Sequence, residues 1–225
     1  MKYVTLTIFV MNLLMTTSCG TIASFKTAKL TSSESPEITA GLTTHSVPFQ
    51  NKADPNDKEV RYTSVVLPEF AIWARLGDMN SKYDAGVNFS IPIGIQGTIR
   101  RHIIYNSKYT PETTIGILAR YYNRDILLGD PVYTTNFIDV GVPLYIDWDL
   151  PIYQESSIYI NVSPTLRRYT YKTKYGGVDE YDYNETIYGV QITTGLKIYK
   201  ILVEYNLLVF NDKKIHTQAG IAYVF

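Results

Sequence analysis

The chain has 225 residues, of which 21 are Lys or Arg and 21 are Asp or Glu, so its formal net charge is zero. Nucleic-acid binding needs a clustered positive field, and this balance gives no reason to propose one, so no nucleic-acid partner is expected. The 20 tyrosines favour β-strands, whose pleated surface accommodates aromatic side chains well.

Residues 1–18 are predicted to be a signal peptide. Lys2 precedes an apolar stretch that reaches Met15, and small polar residues follow before Cys19. A charged start, a short apolar run and small residues before a cleavage point are typical of secretion. The apolar run is too short for a transmembrane helix.

Cys19 is the only cysteine, so an internal disulfide is excluded. Residues 13–20 resemble the lipobox of bacterial lipoproteins, in which the cysteine after the cut is acylated, although Thr16 stands where the strict pattern has Leu. The resemblance implies lipid attachment, such as palmitate, at Cys19 and a lipid-anchored segment over residues 19–35. The alternative is an ordinary signal peptide with an incidental cysteine.

Residues 36–225 are predicted to form one β domain because polar and apolar residues alternate along most of it. The pattern is clearest at residues 138–150, where even positions are apolar and odd positions include Asp139, Asp147 and Asp149. Alternate side chains of a strand lie on opposite faces. The expected strands, in chain order, are 38–46, 60–77, 83–91, 95–105, 113–122, 138–150, 157–171, 186–198, 201–209 and 215–225.

The predicted fold class is all-β, an antiparallel up-and-down transmembrane β-barrel of about ten strands. No apolar run of transmembrane-helix length follows residue 18, so any span has to be a closed barrel. The expected strands are long, and their polar face carries small residues and ions of both signs. The short connection at residues 92–94 leaves eight or twelve strands open, and a lipid-anchored periplasmic β-sandwich is the alternative fold.

The end of the chain resembles the assembly signal of bacterial outer-membrane barrels, whose last strand alternates and ends in an aromatic residue. Gln218, Gly220, Tyr223 and the final Phe225 carry the resemblance. It implies insertion by the barrel-assembly machinery into the membrane lipid of a Gram-negative outer membrane.

Three further stretches resemble a set of uncharacterised Gram-negative outer-membrane β-barrel lipoproteins. They are residues 25–30, residues 73–77 with an aromatic-x-Arg-x-Gly pattern, and residues 83–86 with an Asp-x-Gly pattern. The resemblance implies the same location and brings no assigned chemistry.

The polar faces are expected to point into the lumen, where paired ions would fill a barrel of this size. A narrow channel or small-ligand carrier lined by these groups is the second interpretation. The predicted lumen residues are Glu69, Arg75, Arg100, His102, Arg120, Asp139, Asp147, Arg167, Lys197 and Glu204.

No catalytic, cofactor or metal site is predicted. The three histidines, His45, His102 and His216, match no arrangement of nucleophile, base and orienting acid. They also lack the spacing of metal ligands. A lipid-directed hydrolase is the third interpretation, and it would depend on His102 or His216.

Four segments are predicted as outward loops: residues 47–59, 123–131, 173–184 and 211–214. Residues 173–184 combine tyrosines with acidic residues, a composition suited to adaptable contacts. The sequence therefore predicts a structural or surface-interaction role, with an extracellular or periplasmic partner reached through residues 47–59 and 173–184.

Overall fold

The structure is a computed structural model, and all regular secondary structure in the residues it describes is β. It describes residues 25–51, 61–80, 82–91, 94–105, 107, 110–127, 132–151, 155–175, 178–211 and 215–225. None of these residues forms a helix with the length and apolar character needed to cross a membrane. The strands are β1 (Glu37–Asn51), β2 (Arg61–Gly77), β3 (Tyr83–Ile91), β4 (Gly94–Ile104), β5 (Glu112–Leu127), β6 (Val132–Gly141), β7 (Leu144–Asp149), β8 (Ser157–Tyr175), β9 (Val178–Ile198), β10 (Ile201–Phe210) and β11 (Ile215–Val224).

The eleven strands form one closed antiparallel sheet. The first and last strands pair with each other, from Thr39 with Val224 to Thr43 with Gly220. Because β6 and β7 both pair with β5 and β8, they occupy one position, and the barrel has ten strand positions. The predicted ten-strand antiparallel barrel is confirmed, and the sandwich and the counts of eight and twelve are wrong.

The strand predicted over residues 138–150 is interrupted at Val142 and Pro143. Proline has no N–H for a ladder hydrogen bond, and here the Val142 N–H donates to the Pro164 carbonyl at 3.1 Å while Pro143 accepts from the Gly116 N–H at 2.9 Å. The facing pattern continues through the break, with Val142 exposed and Pro143 buried. The interruption therefore leaves one continuous barrel position.

Side-chain polarity is inverted relative to a soluble protein. On the outer surface Ile117 is 64% exposed, whereas the guanidinium-bearing Arg100 in the interior is 1% exposed. Exposed aromatic residues lie at both borders of this apolar belt, with Phe89 and Tyr188 at one border and Tyr199 and Tyr223 at the other. Aromatic girdles beside an apolar band are typical of membrane barrels.

We call the end of the barrel where β1 begins and β11 ends the proximal end, and the opposite end the distal end. Ten residue steps of β9 separate Tyr188 at the distal border from Ile198 at the proximal border. At about 3.3 Å per residue and a tilt of about 40°, the belt is about 25 Å tall. This matches the hydrocarbon core that an outer-membrane barrel crosses.

Three predicted distal loops are partly strand. β1 extends to Asn51 and β5 to Leu127, while β8 and β9 leave only residues 176–177 between them. Residues 173–184 were therefore wrongly predicted as one loop. The backbone register there pairs Tyr171 with Tyr183 and Lys172 with Asp182.

Candidate functional site: the filled lumen

The lumen holds most of the charged side chains predicted to face inward. Arg75 and Arg100 lie near the proximal end, and Glu69, Arg120, Asp139, Arg167 and Glu204 lie further along the lumen. Asp147 is buried near the proximal end, whereas Lys197 and His102 are half-buried there. The alternation of the strands brings these groups together, because every second residue points to the axis.

Asp84 is the centre of a proximal ion cluster. It accepts from Arg100 Nε at 2.8 Å and also from Arg100 Nη2, and Arg75 Nη1 lies 3.7 Å from its Oδ2. Arg75 also donates to Glu37 through Nη2 and, at 3.0 Å, through Nε. The register explains the cluster, since Glu37 pairs with Arg75 and Asp84 with Arg100 on neighbouring strands.

Residues 25–31 run inside the proximal lumen as a segment separate from the wall. Phe25, Lys26, Thr27 and Ala28 are all buried. The Phe25 ring packs edge-on against the Trp73 ring with centroids 4.9 Å apart. The predicted lipid-anchored segment over residues 19–35 includes these residues, but their place in the lumen is not predictable from the sequence, because the alternation that marks strands carries no information about what fills a barrel.

Two lysines of this segment reach polar groups of the wall. Lys26 Nζ donates to Thr98 Oγ1 at 2.6 Å, and Lys29 Nζ lies 2.6 Å from Asp149 Oδ1 near the proximal rim. Partial burial lowers the pKa of Lys29, but the hydrogen bond and charge of Asp149 outweigh it, so the pKa is raised above its usual value. Lys29 is therefore charged at neutral pH.

Asp139 is the centre of a second ion cluster, further from the proximal end. Arg167 donates to both of its oxygens at 2.7 and 2.9 Å, and Arg120 Nη1 lies 3.4 Å from Oδ2. The Arg167 guanidinium also lies over the Phe137 ring, 4.0 Å from its centroid. Two guanidinium groups thus share one buried carboxylate, an arrangement in which hydrogen bonds offset the cost of burial.

A polar chain links this second cluster to Tyr159. Arg120 donates to Gln191 Oε1 at 3.2 Å, and Gln191 donates to Asn206 Oδ1 at 3.0 Å. Asn206 donates to Glu204 Oε1 at 2.9 Å, and the Tyr159 hydroxyl donates to Glu204 Oε2 at 3.1 Å. The chain crosses five neighbouring barrel positions and ties the wall together from inside.

A row of buried polar side chains crosses β2, β3 and β4 beside Arg120. Trp73 pairs with Asn88 and Asn88 with Gln96 in the strand register. The indole N–H and both amide groups are buried and have no hydrogen-bond partner among the described residues. Their donors and acceptors point into the lumen, where water can bind them.

His102 is the one histidine whose side chain lies in the described part of the chain. His102 Nε2 lies 2.8 Å from the Ile104 carbonyl oxygen and 3.5 Å from Glu112 Oε1. Thr114, its cross-strand neighbour, donates instead to the Ala28 carbonyl at 2.6 Å. Among the residues that the structure describes, no three His, Cys, Asp or Glu side chains come close enough to hold a metal ion.

Three residues of the C-terminal motif lie in β11, and the fourth, Phe225, directly follows it. Gln218 and Gly220 face the lumen, whereas Tyr223 and Phe225 face outward, with ring centroids 5.1 Å apart. The Phe225 N–H donates to the Ile38 carbonyl at 2.9 Å. The terminal residue is thus bonded to β1 at the closing seam of the barrel.

Several predicted groups lie outside the described part of the chain. Cys19 and residues 1–18 precede it, and the side chains of His45 and His216 are not described. Of the segments predicted to reach a partner, residues 52–59 and 176–177 are likewise outside.

Comparisons with known proteins give a structural resemblance only. Neither the scan against protein-family models nor the search of curated proteins finds a match. Among solved structures, the chain is similar to Ail, the attachment invasion locus protein of Yersinia pestis, with 11% identity and a TM-score of 0.33. The match covers 84% of this chain and 97% of that one. At this identity and score the resemblance carries no conclusion about function.

Proposed function

We propose that this protein is an outer-membrane β-barrel lipoprotein with a structural or surface-interaction role and no catalytic activity. The observation that carries the proposal is the inverted polarity, with exposed Ile99 and Ile117 outside and buried Arg100 and Asp139 inside. A closed barrel with an apolar belt leaves no unpaired strand edge within the bilayer. The charged side chains of the lumen form ion pairs and hydrogen bonds with other groups of the wall, and this favours a structural role over catalysis.

Two projecting ribbons support the surface-interaction part of the proposal. Residues 178–187 of β9 pair with β8, but none of them pairs with β10 among the described residues. Likewise, β1 pairs with β2 as far as Asn51, whereas its described pairing with β11 ends at Thr43. Strand edges beyond a bilayer are surfaces to which other chains bind.

Membrane location is tested by fractionation and by gel mobility of the protein with and without boiling. A closed barrel in the outer-membrane fraction should migrate differently after boiling, because the folded form keeps its compact shape in detergent. The same migration in both samples, together with recovery in a soluble fraction, would contradict the proposal.

Orientation is tested with single cysteines in a Cys19→Ala background. Asn184 lies on the distal β9 ribbon, and the exposed Met79 lies in the proximal turn between β2 and β3. Each is replaced by cysteine in a separate variant. We expect a membrane-impermeant maleimide to label Asn184→Cys on intact cells and Met79→Cys only after permeabilisation. The reverse pattern would place the projecting ribbons in the periplasm.

Lipid attachment at Cys19 is supported by the lipobox-like residues 13–20. We expect wild-type protein to incorporate radiolabelled palmitate and Cys19→Ala to incorporate none. Equal labelling would show that Cys19 is not the acylated residue. Residue 19 is six positions before Phe25, so an extended chain between them spans at most about 20 Å.

A further inference from the structure

We infer that the proximal lumen is a binding chamber for an extended dicationic peptide segment, and that residues 25–31 are its occupant in this structure. The chamber is the space bounded by Trp73, Arg75, Asp84, Arg100 and Thr114. Its walls contact the backbone, both lysines and the aromatic ring of the segment. The chamber lies inside the barrel, so its binding of a peptide is independent of what the outer surface binds.

The wall binds the segment through its backbone. Arg100 Nη1 donates to the Thr27 carbonyl at 2.6 Å, and Thr114 Oγ1 donates to the Ala28 carbonyl at 2.6 Å. Arg75 Nη1 and Arg100 Nη2 both donate to the Lys29 carbonyl at 3.3 Å. Side chains of the wall thus bind three successive carbonyls. Contacts of this kind are typical of a site that binds an extended peptide, and not of a packed core.

The charges of chamber and segment are complementary. The proximal wall carries five acidic residues, Glu37, Asp84, Glu112, Asp147 and Asp149, and three basic residues, Arg75, Arg100 and Lys197. Its formal excess is therefore two negative charges. Residues 25–31 supply two lysines and no acid, and of these Lys29 pairs with Asp149 at the rim while the buried Lys26 donates to the Thr98 hydroxyl.

Phe25 and Ala28 fix the position of the segment along the chamber. A side chain on Gly220 would place its Cβ 2.5 Å from Phe25 Cζ, so the glycine leaves the space that the ring occupies. Ala28 is fully buried, and a larger side chain there would have no space. The chamber therefore selects an aromatic residue, a lysine, a small residue and a second lysine at the spacing Phe-Lys-Thr-Ala-Lys.

The wall closes without help from the segment. The strand pairings that close the barrel join β1 to β11 and each neighbour to the next, and they begin at Glu37. Residues 25–31 contribute to none of these described ladders. The chamber should therefore remain when the segment is displaced.

The test displaces the segment and supplies it again as a free peptide. In the full chain, Lys26→Glu with Lys29→Glu reverses the charge of the segment and leaves the wall unchanged. A synthetic peptide with the sequence of residues 25–31 is then titrated into the folded double variant, which also carries Trp148→Phe so that Trp73 is the single tryptophan and its fluorescence is the readout. We expect saturable binding, and at least tenfold weaker binding of the same peptide carrying both Lys-to-Glu changes.

Two controls accompany the titration. Lys82→Glu with Lys200→Glu changes two turn lysines at the proximal end by the same total charge and should keep the chamber occupied and closed to the peptide. In wild-type protein, a carbodiimide should join Lys29 to Asp149, whose Nζ and Oδ1 atoms are 2.6 Å apart, and mass spectrometry should find that cross-link.

Several outcomes would overturn the inference. The first is a folded double variant that binds neither peptide or binds both equally. The second is a double variant that fails to show the mobility shift of a folded barrel, since the wall would then need the segment. The third is a folded wild-type barrel in which no Lys29–Asp149 cross-link forms.

Discussion

Single carboxylates organise the charged interior of this barrel. Asp84 and Asp139 each lie between two arginines. Burying a charge is costly unless hydrogen bonds and an opposite charge compensate it, and removing one partner leaves the other uncompensated. The shared carboxylate is therefore the residue on which each cluster depends most.

Replacing Asp139 should destabilise the barrel more than replacing one of its arginines. Asp139→Asn leaves Arg120 and Arg167 buried without their common counter-ion, and we expect a loss of about 3–5 kcal/mol in the free energy of unfolding. Arg167→Met keeps the volume and leaves Asp139 paired with Arg120, so its loss should be smaller. Denaturant unfolding in detergent micelles measures both, and Arg101→Gln at the exposed proximal rim is the control. Equal midpoints for Asp139→Asn and Arg101→Gln would contradict the interpretation.

Asp78 should make the proximal turn between β2 and β3 sensitive to acid. Its Oδ1 accepts from the Tyr83 N–H at 3.0 Å and the Lys82 N–H at 2.6 Å, and the bond from Tyr83 chiefly lowers the pKa of Asp78 below 3.8. A lowered pKa means that the stabilisation is complete above the ordinary value and is lost as the pH falls through the folded-state value. Below that pH we expect faster hydrogen exchange at both amides, relative to intrinsic rates. The Gly116 amide is the internal control, and Asp78→Asn should abolish the pH dependence.

At the scale of the strands, glycines on the inner face make room for large side chains of neighbouring strands. Tyr159 on β8 pairs with Gly195 on β9, and Gly195 pairs with Glu204 on β10. The Tyr159 side chain crosses over Gly195 to reach Glu204. A Cβ on Gly195 would lie 2.0 Å from Tyr159 Cζ, so only glycine allows this crossing.

Gly195→Ala should therefore displace Tyr159 and break its hydrogen bond to Glu204. Overpacking of this kind costs about 1–3 kcal/mol, and we expect that loss in a denaturant titration. Gly97→Ala on the outer face is the matched control, because its Cβ would meet nothing within 4 Å. A Gly195→Ala midpoint equal to that of Gly97→Ala would show that Tyr159 has room to move.

At the scale of the whole molecule, residues 25–31 and buried aromatic side chains fill the lumen together. Phe25 packs in one cluster with Trp73, Tyr122, Phe137 and Tyr159 of the wall, and we call these four wall residues the aromatic layer. Barrels of this size are narrow enough for side chains to fill. The structure thus favours a closed barrel over the narrow channel.

Purified protein in planar bilayers should accordingly show no stepwise conductance, with an open porin as the positive control. The double variant Lys26→Glu with Lys29→Glu should also stay silent, because the aromatic layer remains. Reproducible steps from wild-type protein would favour the channel interpretation, and steps from the variant alone would show that residues 25–31 are the only barrier.

The projecting ribbons belong to the same scale, since four strands build one of them. β5, β6, β8 and β9 continue their pairing beyond the apolar belt, for example Asp125 with Thr134 and Thr170 with Asn184. These stretches contain turn-forming residues such as Asn123 and Asp125, and for that reason the sequence predicts loops there. They are strands instead, because they pair with strands that are far away in the sequence.

The sequence by itself determined the strand pattern and the facing of its side chains. Period-two alternation depends only on local backbone geometry, so Ile138 and Val140 could be assigned outward and Asp139 inward before any partner was known. The charged groups of the lumen were predicted as a set for this reason.

Only the tertiary structure decided which groups meet and what fills the barrel. Asp139 has the same local pattern as Asp147, yet Asp139 faces an arginine on each neighbouring strand, Arg120 on β5 and Arg167 on β8. The place of residues 25–31 depends on closure of the whole wall, because the chamber exists only once β1 pairs with β11. Register and closure are long-range properties, and no local pattern in the chain records them.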